Sequence, residues 1–372
     1  MVAVGSGMKL TCSRDELVQK LALVARAVST RTTVLVLGGI LLRAEKGELR
    51  LAATDMELSL RTSLEAQVNG EGAIVVPGRM LTDLVRLLPD EDVQIEHRPE
   101  EGVVRVDSGA YSSRLHTYNV EDFPRLPEVE TIGTFAIDKE AFLDTIARVS
   151  RSASRDESRP VLTGILARFE GGKLVMAATD SYRLSVKETP LEGDAPELEA
   201  IIPARALAEV SRIGQAAEAL ELGVHENQVV FVANGITLTT RRIEGQFPNY
   251  RQLIPETFEH TVVIPRGEIL EVVRRVAVMA QRNSPLRLRF AEGELTVSAQ
   301  TQDVGEARES MPVGFTGEPL EIGFNADYLR EGLESVTSDE MQIKLISPLR
   351  PAVIHGEEQD FTYLVMPIRL PS

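Results

Sequence analysis

Residues 39–55, "GILLRAEKGELRLAATD", lie over residues 164–180, "GILARFEGGKLVMAATD", without a gap at an offset of 125. Internal repetition constrains a fold more tightly than any single motif, because every copy must be able to fold the same way. A third, weaker copy runs "LRLRFAEGELTVSAQ" over residues 286–300, with Leu295 121 residues after Leu174. In each copy apolar residues alternate, a Gly-containing acidic turn follows, and alternation resumes. That pattern predicts a β-hairpin with one buried face.

The flanking segments repeat as well. "LTCSRDEL" (10–17), "FAIDKEAF" (135–142) and "VVIPRGEI" (262–269) each lead from a short strand into a helix. Helical spacing of apolar residues follows, as in Leu17, Leu21, Val24 and Val28. A second helix recurs in "VVPGRMLTDLVRLL" (75–88), "IIPARALAEVSRI" (201–213) and "GFNADYLREGL" (323–333). "DFPRLP" (122–127) and "QFPNYRQLIP" (246–255) close the first two copies and read as linkers. The chain is therefore expected to be α+β. Three tandem similar domains, 8–128, 129–255 and 256–370, each pack two helices on antiparallel sheets. Residues 1–7, "MVAVGSG", read as a leader before Met8.

Charge narrows the function. The 372-residue chain carries −16 overall, which by itself argues against gripping nucleic acid. The distribution reverses that reading. The six predicted helix windows sum to +4 and the remainder to −20. Arginines such as Arg26, Arg86, Arg148, Arg212, Arg274, Arg275 and Arg282 fall on or beside helices. An acidic exterior with one more basic helical surface suits a polyanion held weakly and without sequence preference. The single Cys12 excludes an internal disulfide and fits a cytoplasmic setting. No apolar run approaches a membrane span.

Catalytic patterns are missing. Neither a Walker-type nor a G-x-G-x-x-G phosphate loop occurs, and no G-x-S-x-G elbow. The five histidines are scattered, with no pair at i and i+4 to build a zinc helix. No metal site or cofactor is expected. The tempting cluster is Asp180, Tyr182 and Arg183 in "AATDSYRLSV" (177–186). Its Ala-Ala-Thr-Asp recurs at 52–55 without the Tyr-Arg, so the Asp is expected to be a turn residue. An enzyme is not supported.

"TDSYRL" (179–184), "EGQFPNYRQLIP" (244–255) and the ending "YLVMPIRL" (363–370), in this order within three similar domains, resemble the bacterial DNA polymerase III β subunits, the sliding clamps. The resemblance covers residues 8–370. It implies a head-to-tail homodimer closing into a six-domain ring, twelve helices lining a hole that encircles duplex DNA. The implied function is a processivity factor that tethers partners by short hydrophobic peptides: the replicative polymerase catalytic subunit, the clamp loader, other polymerases, mismatch repair proteins and ligase. The pocket positions that match are Leu162, Thr179, Ser181, Tyr182, Arg183, Leu184, Pro248, Leu253, Asn325, Tyr328, Leu349, Met366, Pro367, Ile368, Arg369 and Leu370. DNA-facing positions are Arg31, Arg79 and Arg205, with Arg151 and Arg155 added on local charge. The dimer contact would bring Leu84, Leu88 and Leu115 against Ala277 and Val278.

The chain departs from the family pattern in places. Ser181-Tyr182 stands where many relatives have Gly-His, and Gln252 where a second basic residue is common. Leu35 replaces a proline that the second copy keeps as Pro160. Pro371 and Ser372 extend past the usual Arg-Leu end. The alternative reading is a scaffold of the same fold whose partners are proteins alone, which would have no need of arginine-bearing helices.

Overall fold

A computed structural model describes residues 7–29, 33–126, 133–191, 197–280 and 284–370. Seven helices are present among them: α1 (Arg14–Val24), α2 (Gly78–Val85), α3 (Lys139–Val149), the single turn α4 (Pro160–Thr163), α5 (Ala204–Gln215), α6 (Arg266–Ala277) and α7 (Ala326–Ser335). Each long helix follows a short strand, and its apolar stripe is what it buries. In α1 the stripe is Leu17, Leu21 and Val24, one residue per turn, all inaccessible. Asp138 and Asn325 cap α3 and α7, their side chains accepting from the amides of Ala141 and Tyr328 at 3.0 Å each.

Two compact units result, and they do not follow the three repeats. One comprises Met1–Ile137 with Arg212–Arg241, the other Asp138–Ser211 with Arg242–Ser372. The reason lies in the sheets, whose strand pairs are all antiparallel. In the first unit an eight-stranded sheet runs Phe135–Ile137, Leu220–His225, Gln228–Ala233, Ile236–Arg241, Leu58–Glu65, Glu48–Thr54, Gly39–Glu45, Gly72–Pro77. Four strands come from the second repeat and four from the first. They join where Leu238 faces Leu60. In the second unit the join is Arg183–Pro190 on Phe361–Val365, with Ser185 facing Tyr363.

Each unit also holds a smaller sheet. The five-stranded one of the first unit ends at Tyr111–His116, and the four-stranded one of the second ends at Gly305–Pro312. The hairpin turns are those the repeats anticipate. Lys46-Gly47 and Gly171-Gly172 both place two successive residues at positive φ, as a two-residue turn between twisted strands requires.

The linkers are packed rather than free. Phe123 is buried with Val36, Leu37 and Val75, and Tyr250 with Leu166, Val175 and Val186. Pro160 opens the helical turn α4, whereas its counterpart Leu35 opens a 3-10 turn, Leu35–Gly38. Proline's fixed φ favours the helical start, and without it the first copy takes the tighter form.

Several expected positions change character. Helix α3 stops at Val149 and continues as the 3-10 turn Ser150–Ser152, so Arg155 lies on a loop. Leu88 and Leu115 are 4% and 9% exposed, spent inside the first unit, while the neighbouring Leu87 is 84% exposed. Helix α2 ends at Val85, and Leu88 continues the buried stripe of Leu81 and Val85 in the turn after it. Arg31 and Arg282 lie outside the described residues.

Candidate functional site: the Arg183 corner

The two "AATD" stretches build one turn twice. In the first copy the Thr54 hydroxyl donates to the carbonyl of Leu58 at 3.0 Å, and Asp55 Oδ1 accepts from the amides of Glu57 and Leu58 at 3.1 and 2.8 Å. In the second, Thr179 donates to the Arg183 carbonyl at 2.7 Å, and Asp180 Oδ1 accepts from the amides of Tyr182 and Arg183 at 2.9 and 3.0 Å. Met56 and Ser181 occupy the left-handed position at φ 79° and 80°. The aspartate is thus held by backbone donors in both copies, as an Asx turn uses it. It is the frame of the turn.

What differs is the residue after the turn. Leu58 in the first copy becomes Arg183 in the second. Arg183 is 8% exposed, and its guanidinium donates to the second oxygen of Asp180 at 3.1 Å and to Glu331 on α7. It also lies over the ring of Tyr328, 4.3 Å from the centroid. Burial alone would lower the guanidinium pKa; Tyr363 and Glu331 overcome this and raise it. Tyr363 is fully buried, its hydroxyl donating to the carbonyl of Tyr328 at 2.7 Å. Burial raises the phenol pKa, partly offset by Arg183. Arg183 is therefore a brace that ties the second repeat's turn to α7 of the third.

Around the brace the surface is apolar and open. Tyr182, Leu253, Leu349, Met366 and Ile368 all stand among the exposed large hydrophobic side chains of the chain. The C-terminal run is pinned in place: the amide of Met366 donates to the carbonyl of Tyr182 at 2.8 Å, and that of Ile368 to Gly323 at 2.7 Å. A Cβ on Gly323 would come within 2.6 Å of Leu370, so the glycine lets the tail lie close. Leu162 and Tyr328 are half-buried, as are Asn325, Pro367 and Leu370, while Ser181, Pro248 and Arg369 are exposed. Two expected lining residues are not free. Leu184 sits in the core beneath the corner and the Thr179 hydroxyl belongs to the turn.

Three participants were not anticipated. Arg159 donates to the Ser181 hydroxyl at 3.1 Å and to Asp156 at 3.0 Å, holding the rim. Glu331 and Tyr363 complete the brace. Glu331 stands three residues after Tyr328, one face of a helix, which is the one local signal available.

Among the described residues, the expected DNA-facing arginines stand on separate elements. Arg79 is exposed at the start of α2, 3.9 Å from Asp83. Arg205 is exposed on α5. Arg151 pairs with Glu334 of α7 at 2.7 Å. Ala277 ends α6 half-buried, and Val278 after it is exposed; Leu84 is half-buried on α2. A cleft of the first unit, about 1060 Å³, is lined by Arg43, Arg50, Arg61, Glu45 and Glu48 among others and contains none of the expected pocket residues. Among the described residues no group of three or more His, Cys, Asp or Glu is placed to hold a metal ion. No helix among them is long and apolar enough to cross a membrane.

Comparison with known proteins decides the family. Residues 8–127, 136–249 and 251–369 match the N-terminal, central and C-terminal domains of the DNA polymerase III beta subunit. The beta sliding clamp of Synechococcus elongatus is 37% identical over 377 residues, covering 98% of this chain and 100% of the relative. That of Streptomyces coelicolor is 34% identical over 378 residues with the same coverage.

The chain belongs to the bacterial β sliding clamp family.

Solved clamps agree in fold. The Bacillus subtilis DNA polymerase sliding clamp superimposes with a TM-score of 0.93 at 26% identity, covering 98% of this chain and 100% of that one. A Pseudomonas aeruginosa clamp bound to griselimycin gives 0.88 at 28% identity with the same coverage. As a β sliding clamp of DNA polymerase III, the chain is a replication processivity factor. It is a non-catalytic accessory subunit built of three tandem clamp domains. The missing catalytic constellation and the structural role of Asp180 follow from that. The Arg183 corner is where the repeats of this clamp diverge.

Proposed function

We propose that two of these clamps associate head to tail into a ring around duplex DNA, in the cytoplasm, and that the Arg183 corner receives short hydrophobic peptides from the proteins the ring carries. One observation supports the ring above the others. Strands Ile236–Arg241 and Leu58–Glu65 pair, and so do their counterparts Phe361–Val365 and Arg183–Pro190. The third pair of counterparts, Tyr111–His116 and Gly305–Pro312, form the outer edges of the two smaller sheets. An edge is a row of unpaired donors and acceptors, and two chains can each supply what the other lacks. Closing them would join five strands to four and make the same kind of strand-pair junction a third time. In this arrangement Leu115, its side chain buried within the first unit, would offer the backbone of Tyr111–His116 to the joined edge, while Leu84, Ala277 and Val278 would flank it.

Enclosure supplies processivity without tight binding, which suits a −16 protein whose helices carry the basic residues. Arg79, Arg151, Arg155 and Arg205, with Arg31, would meet phosphates loosely. At the corner, exposed apolar side chains beside a few fixed polar groups are what an extended peptide needs. The polymerase catalytic subunit, clamp loader, other polymerases, mismatch repair proteins and ligase are the expected donors of that peptide.

The test is retention on closed circular DNA before and after a single linearising cut, following loading. Rapid loss on cutting is expected; equal retention would rule out the ring. For the corner, deletion of residues 366–372 should weaken binding of a polymerase-derived peptide and leave the sedimenting dimer unchanged. A chain that becomes monomeric would show those residues to be structural instead.

A further inference from the structure

Arg151 and Arg274 share one carboxylate. Glu334, near the end of α7, sits 2.7 Å from Arg151 and 3.1 Å from Arg274. Arg151 follows α3 in the second repeat and Arg274 lies on α6 in the third, so the acid bridges two of the cation-bearing helical segments. Arg274 also donates to Glu271 at 3.2 Å. Both guanidinium groups remain substantially in solvent, at 39% and 50% side-chain exposure, while the glutamate is at 24%. Burial would raise the Glu334 pKa, but the two arginines prevail and lower it, so the group is a standing anion at neutral pH.

We infer that Glu334 is an internal competitor for the DNA backbone, occupying Arg151 and Arg274 so that a phosphate must displace a carboxylate to reach them. This rests on the reading of the helical surface as DNA-facing. Exposed ion pairs are weak and exchange readily, so the two arginines are neither removed from service nor freely available. A surface built this way attracts a duplex less than its arginine count implies. Each contact can pass from phosphate to phosphate with the glutamate as placeholder, which suits sliding. The pairing of Arg275 with Glu309 at 2.7 Å repeats the device nearby.

The experiment is the salt dependence of binding between the intact dimer and a short fluorescent linear duplex, followed by anisotropy. Glu334→Gln keeps the shape and removes the charge. Glu358→Gln, on an exposed turn, changes net charge equally and serves as the control. Releasing two arginines should steepen the slope of log affinity against log salt by up to about 1.8, so that a fourfold rise in salt costs the variant up to roughly tenfold more affinity than the wild type. Thermal melting of the same samples separates a loss of fold from a change of grip. An unchanged slope with wild-type binding intact overturns the inference and leaves the DNA reading standing, as does an equal steepening in Glu358→Gln. If neither protein binds the duplex and linearising a circle does not shorten retention, both fall together.

Discussion

Replacing Arg183 by leucine gives the second repeat the residue type the first carries at Leu58, and it isolates what the divergence contributes. The arginine links Asp180 at 3.1 Å and Glu331, with all three side chains largely out of solvent. Removing one member of a buried ionic group costs about 3–5 kcal/mol, because the remaining charges lose their partner. Here the lower end applies. Asp180 keeps two backbone donors, and Glu331 is 27% exposed and can recruit water. A loss of about 3 kcal/mol in a unit of this size should lower its melting temperature by roughly 6–12 °C. Differential scanning calorimetry reads this directly. A double-mutant cycle with Glu331→Gln sharpens it, because that change should cost clearly less once Arg183 is gone, with coupling of about 1–2 kcal/mol. A fall of less than about 2 °C, or strictly additive losses, would refute the brace.

Other perturbations test separate steps. Met56→Gly removes a half-exposed side chain from a backbone at φ 79° and should stabilise the first unit by about 0.5–1 kcal/mol in urea unfolding; destabilisation would contradict the left-handed strain. Gly332→Ala would place a Cβ 2.2 Å from the buried Tyr363 ring, so a loss of about 1–3 kcal/mol is expected, and an unchanged urea midpoint would refute that packing. Burial beside Lys344 holds the His355 pKa below its ordinary 6.5. Below that value the unfolded chain takes up a proton that the folded one resists, so stability falls as pH drops through 6.5. His355→Gln should flatten this part of the stability profile, measured by urea midpoints on both sides of it, and an identical slope would exclude the imidazole as the source.

The repeats, the hairpins and the Asx turns were legible because each is local and periodic. Offsets of 125 and 121 or so survive where apolar alternation and turn glycines are kept. The sheet joins were not, since Leu238 facing Leu60 leaves no trace in the spacing of either strand. For the same reason the compact units cut through the second repeat. Leu88 follows Leu81 and Val85 on the buried stripe, a burial that helical spacing predicts, while Leu87 takes the surface. Arg155, added on local charge alone, lies on the loop after the 3-10 turn that follows α3. Arg183 was legible as the point of divergence but not as a buried brace. Its partner Glu331 is far along the chain, and only the fold brings the two together. The exposed apolar rim around Tyr182 and Met366 became visible only once burial had removed Leu184 and Thr179 from it.

The sheet joins also set an order of assembly on a chain synthesised from its N-terminus. Strand Leu58–Glu65 leaves the ribosome long before Ile236–Arg241, and Arg183–Pro190 long before Phe361–Val365. Each must wait as an open edge while more than a whole repeat is made, the condition in which nascent chains pair wrongly. Arg61 lies mid-way along the first waiting strand, and the second carries Arg183 and Lys187. Charge in the middle of an edge discourages a foreign strand from docking. Lys187 later finds Asp360 at 2.5 Å, so the guard is neutralised when the proper neighbour arrives. Chains with Arg61→Val or Lys187→Val are expected to lose soluble yield during translation at a rate out of proportion to any change in the finished fold.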